Sequence, residues 1–259
     1  MNPFVFLFIA LASYLALIYY SHQKRMAAVS KNNMDEVALR DYAENVWYQI
    51  NKYVGLLLPL DLKSIHQTPS CEDYAQSLNS KGTKRSWDFE EFCFDSPFES
   101  GVTVEEILTF EKTLAITLPD DFLAFYEKHN GQKSDYPVLF DGQELLSFTR
   151  IMEEWTMLNT ILNENITSFE VVADLGVKNN WWNPKWIPIL TDRNGNYTCM
   201  DLDPEPGGKM GQLISFDHET IHREIVISSF LEFMDSYLGD LKQGNLIYNE
   251  DYGGVMLKV

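Results

Sequence analysis

Residues 186–216 read WIPILTDRNGNYTCMDLDPEPGGKMGQLISF and hold the densest run of strand and turn signals in this chain of 259 residues. An apolar run at 186–190 is followed by Asn194-Gly195, a pair that tolerates positive φ and favours a tight hairpin reversal. These signals predict two antiparallel strands that are joined at Asn194-Gly195.

The remainder of the stretch predicts a third strand. Residues 197–202 alternate in side-chain character, which predicts a return strand with one largely apolar face against a core. Residues 203–208 hold two prolines and two glycines, which forbid regular structure because proline lacks an N–H donor and glycine permits unusual turns. Residues 212–216 then form the closing strand of the unit.

Two ordered blocks of the sequence resemble a known family. The first contains WIPI, the D-x-x-G-N-Y turn and D-L-D-P-x-P-G-G-x-x-G-Q, and the second is LPDDF at 118–122, which runs on to Asn130-Gly131. Together they resemble the SUKH superfamily, which groups yeast cell-wall assembly regulators with many bacterial toxin-immunity proteins. The resemblance covers roughly residues 101–244. It implies an α+β fold with helices packed on a mainly antiparallel sheet.

Helix signals within residues 101–259 agree with this fold. Thr103 and Glu106 form a capping box, and Ser229 with Glu232 repeats the pattern before the last helix. Pro119 is expected at the first position of another helix. We therefore assign residues 101–259 to one globular, SUKH-like domain.

An apolar segment stands at the start of the chain. Residues 1–20 carry no charged side chain, and at 1.5 Å per residue they reach about 30 Å, the thickness of a bilayer core. Basic residues follow this segment and none precedes it, which predicts a single-pass anchor at residues 1–22 with the C-terminal domain in the cytoplasm. The alternative is a cleaved signal peptide, although the basic region of a signal peptide normally precedes its apolar stretch.

Residues 23–100 predict an amphipathic helix and a linker. Apolar residues recur at helical spacing from Asp35 to about Tyr53, and we expect this stripe to pack on the globular domain rather than on another chain. A polar, turn-rich stretch follows. Residues 87–94 alternate aromatic and acidic side chains, which is typical of a half-buried strand; an acidic docking segment is the alternative.

The charge is concentrated in the globular domain. Residues 1–100 hold 9 Lys and Arg against 12 Asp and Glu, whereas residues 101–259 hold 11 against 26, a net of −15. Nucleic acid is excluded as a direct ligand because phosphate binding needs clustered Lys and Arg. A basic protein partner is expected instead, although acidic surfaces also serve solubility alone.

The candidate protein-binding residues are two tryptophans and four acidic residues around the central hairpin and the glycine-rich loop. They are Trp181, Trp182, Asp192, Asp201, Asp203 and Glu205. We expect at least one of the tryptophans to be exposed, since tryptophan is frequent in binding hot spots. Oxygen side chains at 192–196 also suggest a calcium loop, but the glycine stands at the fourth position, where an EF-hand needs it at the sixth. A hairpin turn explains the same residues, and we adopt that interpretation.

No motif predicts catalysis, a cofactor or a metal. The five histidines form no zinc motif, no serine lies in Gly-x-Ser-x-Gly, and no glycine-rich loop has the spacing of a phosphate cradle. Three cysteines, Cys71, Cys93 and Cys199, are too few and too widely spaced for a disulfide framework, which favours a reducing compartment.

The resemblance supplies the expected function. It implies an immunity protein that binds and neutralises a cognate toxin, and the acidic surface would attract a basic toxin such as a nuclease. The predicted anchor, which departs from the family, would make this protein membrane-anchored. The alternative is a membrane-tethered scaffold or regulator of cell-envelope assembly, as in the yeast branch. An enzyme is not expected.

Overall fold

The structure is a computed structural model, and it describes residues 35–59, 96–163 and 171–258. The helices of these residues are α1 (Glu36–Leu57), α2 (Val104–Leu114), α3 (Asp120–Tyr126), α4 (Phe148–Asn163) and α5 (Phe230–Gln243). The strands are β1 (Glu144–Leu145), β2 (Val172–Ala173), β3 (Trp186–Thr191), β4 (Tyr197–Asp201), β5 (Gln212–Phe216), β6 (His222–Arg223), β7 (Ile225–Ile227), β8 (Leu246–Asn249) and β9 (Gly254–Leu257).

A five-stranded sheet forms the centre of the fold, in the order β1-β3-β4-β5-β7, and all its pairings are antiparallel. Two smaller sheets accompany it: β2 pairs with β6 in parallel, and β8 pairs with β9 antiparallel. The predicted α+β class with a mainly antiparallel sheet is therefore confirmed. Within the described ranges, no helix is both long and apolar enough to cross a membrane. The predicted anchor at residues 1–22 and the segment at 87–94 lie outside these ranges.

The central hairpin forms where the sequence predicts it, but its turn is wider than expected. Strands β3 and β4 pair from Trp186↔Asp201 to Thr191↔Tyr197, which leaves residues 192–196 as a five-residue loop. Positive φ occurs at Arg193 (64°) and Gly195 (95°), so Arg193 takes the left-handed conformation that we expected of the Asn-Gly pair. The wider loop follows from Asp192, whose Oδ1 accepts backbone N–H groups from two later loop residues.

Both faces of the sheet are buried, which corrects the expectation of one apolar face. All five residues of β4 are buried. On one face Met200 joins a first core with the helices α1, α2, α3 and α5, while on the other Cys199 joins a second core with Leu158 of α4 and Trp182. Distant segments therefore cover the face that alternation alone assigns to solvent.

Helix α1 packs on the globular domain, as predicted. The indole Nε1 of Trp47 donates to the Phe125 carbonyl at 3.0 Å, and Ile50 and Val54 are fully buried. Contacts run from α1 to α3 and α5, so this helix contributes to the first core. Tyr42 has the spacing of the apolar stripe, but it is 36% exposed and its hydroxyl donates to Asp235.

The capping predictions hold with one shift. Thr103 and Glu106 form the reciprocal capping box, and the Ser229 hydroxyl accepts from the Glu232 N–H at 3.1 Å. Pro119 is the N-cap of α3 rather than its first residue, and α3 ends at Tyr126. Next to that cap, Asp121 Oδ2 accepts the Leu231 N–H at 3.0 Å and so joins the starts of α3 and α5.

Short strands differ most from prediction. The apolar runs at 138–140 and 145–148 flank Asp141-Gly142 and predict a hairpin, but this region contributes only β1 to the sheet, because Phe148 already begins α4. Residues 221–227 alternate in side-chain character and predict one strand, but they divide into β6 and β7, which lie in different sheets. Strand β7 carries a bulge, because Leu213 and Ile214 pair with Ile227 and Ile225. Val226 is therefore an extra residue without a partner in β5.

Candidate interaction surface

The loop between β4 and β5 is held by the carboxylate of Asp201. This side chain is fully buried; its Oδ1 accepts the Asp203 N–H at 2.9 Å and its Oδ2 accepts the amide of Gln212 at 3.0 Å. Burial raises the pKa of Asp201, and these two hydrogen bonds act against that shift. Asp201 is thus an internal support of the loop, and its carboxylate is not available to a partner.

Asp203 is engaged in the same way at the rim of the loop. Its Oδ2 accepts the side-chain amide of Asn183 at 2.9 Å and the ammonium of Lys178 at 2.6 Å. These hydrogen bonds lower the pKa of Asp203 below its ordinary value. Four acidic residues are predicted to bind a partner. Among these four, Glu205 is the residue that is exposed.

Two glycines let the loop lie directly on its neighbour. The backbone of Gly208 packs against Gly176, and the Gly176 carbonyl accepts the Glu205 N–H at 3.1 Å and the Gln212 amide at 3.0 Å. A side chain at Gly208 would prevent this approach. The polar network therefore fixes the loop in one position.

The tryptophans do not form the exposed patch that we expected. Trp182 is 2% exposed and packs edge-on against Trp186 and Phe216 in the second core. Trp181 is half-buried against Phe216, with ring centroids 5.4 Å apart. Their rings cover the sheet because the loop that carries them closes its outer face. Partner binding at Trp181 and Trp182 stays a prediction.

Asp192 acts as the organiser of the hairpin turn. Its Oδ1 accepts the N–H groups of Asn194 (2.7 Å) and Asn196 (3.1 Å), and its Oδ2 accepts the Asn196 side chain at 2.8 Å. These donors occupy the oxygens that the calcium alternative requires. In residues 35–59, 96–163 and 171–258, no group of three or more His, Cys, Asp or Glu residues is placed to hold a metal.

The two sequence blocks of the family resemblance meet in space. A Cβ placed on Gly211 would lie 3.0 Å from Pro119 Cγ, so the glycine-rich loop touches the start of α3. Between them lies an open groove of about 460 Å³ with Lys185 as its charged lining residue. Its lining consists of Ala115, Ile116, Thr117, Leu118, Pro119, Lys185, Leu202 and Met210.

Sequence reasoning missed Arg223, which is fully buried. Its guanidinium donates to the Trp181 carbonyl from Nε (3.3 Å) and Nη2 (2.9 Å), and from Nη1 to the carbonyls of Asp217, Thr220 and His222. The group also stacks 4.4 Å above the Phe216 ring. Residues 221–227 alternate in side-chain character, and Arg223 occupies an inward position in that alternation. This position was the sequence signal that could have predicted its burial.

Burial shifts the pKa values of two described side chains, Cys199 and His129. Burial raises the pKa of the Cys199 thiol far above its ordinary value, so this cysteine remains protonated and unreactive. Burial also lowers the pKa of His129, whose ring packs against Trp47 with centroids 4.9 Å apart. Both groups serve packing.

Comparison with known proteins identifies relatives. A family model described as SMI1 / KNR4 family (SUKH-1) matches residues 101–236. KNR4/SMI1 homolog 2 of Debaryomyces hansenii is 26% identical over 73% of this chain and 42% of its own length. Cell wall assembly regulator SMI1 of Saccharomyces cerevisiae is 24% identical over 58% and 38%, and the Glucan synthesis regulatory protein of Neurospora crassa is 25% identical over 61% and 37%. The chain thus spans about two fifths of the length of these relatives.

Proposed function

The chain belongs to the SMI1/KNR4 family (SUKH-1), and from this premise we propose that it regulates cell-wall assembly by binding other proteins. The observation that carries the proposal is the match over residues 101–236 together with the names of the relatives, a cell wall assembly regulator and a glucan synthesis regulatory protein. These names favour the regulator over the immunity protein that we first expected, because none of the relatives named above is a toxin-immunity protein.

Binding rather than catalysis is the proposed mode of action. The carboxylates of Asp192, Asp201 and Asp203 accept hydrogen bonds that hold turns and loops in place, so they support a rigid surface. The relatives are named as regulators, which agrees with a non-enzymatic role. A rigid domain with prearranged side chains loses little entropy when it binds a partner.

Two further parts of the proposal rest on the sequence. The net charge of −15 over residues 101–259 supports a basic protein partner. The apolar residues 1–20 support an anchor at residues 1–22 that would hold the domain at the cytoplasmic side of a membrane. Such an anchor would place the regulator where wall synthesis takes place.

A segment exchange tests the regulatory role. In Saccharomyces cerevisiae, the segment of SMI1 that matches this chain is replaced by residues 35–258 of this chain, and the chimera is expressed in a strain that lacks SMI1. We expect the chimera to match intact SMI1, introduced into the same strain as the reference, in wall glucan content and in growth on a wall-binding dye. Failure of a folded, normally abundant chimera would contradict the proposed function.

A further inference from the structure

The sheet region formed by β2, β6 and β7 exposes apolar side chains. Val226, the bulged residue of β7, is 51% exposed, and Val172 and Ile221 are 52% and 40% exposed. The backbones of the last two meet, because the Val172 N–H donates to the Ile221 carbonyl at 2.9 Å, and the strand register places Val172 opposite His222. We define the β6–β7 surface by Val172, Glu219, Ile221, Glu224 and Val226. Apolar side chains grouped on a surface are typical of an interaction site.

Acidic residues flank Ile221 and Val226 in the sequence. Glu219 and Glu224 are exposed, and Asp217 lies half-exposed next to them. The one Lys or Arg residue within residues 217–229 is Arg223, whose guanidinium is buried and directed at backbone carbonyls and the Phe216 ring. Its charge is therefore not presented to solvent, and the β6–β7 surface is anionic.

Strand addition is disfavoured at this edge of the sheet. The Ile225 N–H, which points away from β5, already donates to Asp174 Oδ2 at 2.8 Å. The bulge at Val226 also interrupts the regular ladder. An occupied N–H group and a β-bulge are two ways in which natural sheets prevent another strand from pairing with an edge strand. A partner must therefore be recognised by side-chain contacts.

We propose that the β6–β7 surface binds a basic segment of a partner protein in which Lys or Arg residues alternate with aliphatic residues. This inference rests on the proposed function and specifies the partner's chemistry. The cations pair with Glu219 and Glu224, while the aliphatic side chains cover Val226 and the Val172–Ile221 contact. Complementary charge raises the association rate, and the buried apolar contacts set the lifetime of the complex.

The charge selects this occupant over two others. Nucleic acid is repelled, because an anionic surface without exposed Lys or Arg cannot neutralise phosphates. A second copy in a two-fold dimer is also disfavoured, since the same patch would face itself and bring Glu219 and Glu224 against like charges. A basic segment satisfies both the acidic and the apolar parts of the surface.

The test uses two charge-reversed forms of the full chain. Glu219→Lys with Glu224→Lys changes the β6–β7 surface, and Glu105→Lys with Glu250→Lys makes the same change in net charge elsewhere. All four glutamates are exposed. In the first pair, Glu219 lies next to His218, whose Nε2 is 3.9 Å from Glu219 Oε1. Both forms should unfold at a denaturant concentration close to that of the unchanged protein, and chemical denaturation checks this.

The probe is a fluorescent synthetic peptide of alternating Lys and Val. The control peptide has Glu in place of Lys. We expect the Lys-Val peptide to bind the unchanged chain with an affinity that falls as salt is added, and the Glu-Val peptide not to bind. The first double variant should weaken binding about tenfold or more, and the control about twofold or less. Val226→Ser should also weaken binding, because it removes an apolar contact.

Equal weakening by both double variants would overturn the proposal, since binding would then follow net charge alone. Absence of binding to the unchanged chain would overturn it as well. These outcomes differ from failure of the proposed function. A chimera that restores the wall while the peptide does not bind refutes the surface and leaves the regulatory role standing.

Discussion

The carbonyl oxygen of Gly176 lies 2.2 Å from the position that a Cβ atom on Gly208 would occupy. Each of these glycines belongs to a different loop, and the contact is made through backbone atoms. The glycine-rich loop can therefore rest on residues 174–178 while its ends remain tied to Asp201 and Gln212. This close approach explains in physical terms why the loop sequence contains Gly-Gly.

Replacing Gly208 with alanine should destabilise the fold. The added methyl group would also meet Pro204 Cβ at 2.9 Å, and overpacking of this kind costs about 1–3 kcal/mol. Gly239→Ala in α5 is the matched control, because no atom lies within 4 Å of its Cβ position. The control should gain about 0.5–1 kcal/mol from helix propensity. Urea denaturation measures both, and unchanged stability of Gly208→Ala would refute the proposed packing.

Asp203→Ala should lower stability in a pH-dependent manner. The carboxylate accepts hydrogen bonds from Asn183 and Lys178, so its pKa in the folded state lies below its ordinary value of 3.8. Stability from a lowered carboxyl pKa is present above pH 3.8 and is lost as the pH falls through the folded value. We expect a loss of about 1 kcal/mol at pH 7, after discount for solvent exposure.

The measurement is the difference in unfolding free energy between Asp203→Ala and the unchanged chain at pH 7 and at pH 3. The difference should shrink at the lower pH. The pKa of Asp201 shifts in the opposite direction to that of Asp203, because burial raises it. Protonation of Asp201 therefore relieves the desolvation of its charged form. A constant difference between pH 7 and pH 3 would show that the Asp203 charge does not support the loop.

Trp47→Ala should disrupt the docking of α1. The indole is 1% exposed, and truncating such a ring costs about 3–5 kcal/mol. The adjacent Tyr48 is 61% exposed, so Tyr48→Ala should change stability by about 0.5 kcal/mol or less. Denaturation followed by circular dichroism compares the two. Similar stability for both variants would mean that α1 does not belong to the core.

Arg223→Met should destabilise the second core. It removes the buried guanidinium that donates to the Trp181, Asp217 and Thr220 carbonyls, and losing a hydrogen bond from a charged group costs about 1.5–3 kcal/mol. Arg150→Met is the control, because Arg150 is 41% exposed and its pairing with Glu154 is worth about 1 kcal/mol or less. If both variants unfolded at the same urea concentration, Arg223 would not hold the tryptophan loop.

Local signals in the sequence predicted a large part of this fold. The turn around Gly195, the capping box at Thr103 and the cap at Ser229 each depend on residues within a few positions, so their patterns carry the information. The α+β class followed from the family resemblance, and the helix signals within residues 101–259 agreed with it. The packing of α1 followed from its apolar stripe.

Features that depend on distant contacts were not predictable. Burial of Cys199 requires α4 and the loop at Trp182 to cover the second face of the sheet, and neither is close to β4 in sequence. Asp201 and Asp203 were interpreted as surface groups because their partners, Gln212 and Asn183, become neighbours only after folding. Arg223 was overlooked because a buried cation bound by carbonyls leaves no charge pattern, so its inward position in the alternating segment was the remaining signal.

The most direct test of the account combines the two proposals in one chimera. The SMI1 chimera that carries this chain is compared with forms bearing Glu219→Lys and Glu224→Lys, or Glu105→Lys and Glu250→Lys, at equal abundance in yeast lacking SMI1. We expect wall glucan content and growth on a wall-binding dye to be restored by the unchanged and control forms and lost with the Glu219 and Glu224 reversals. Equal restoration by all three forms would contradict regulation through the β6–β7 surface.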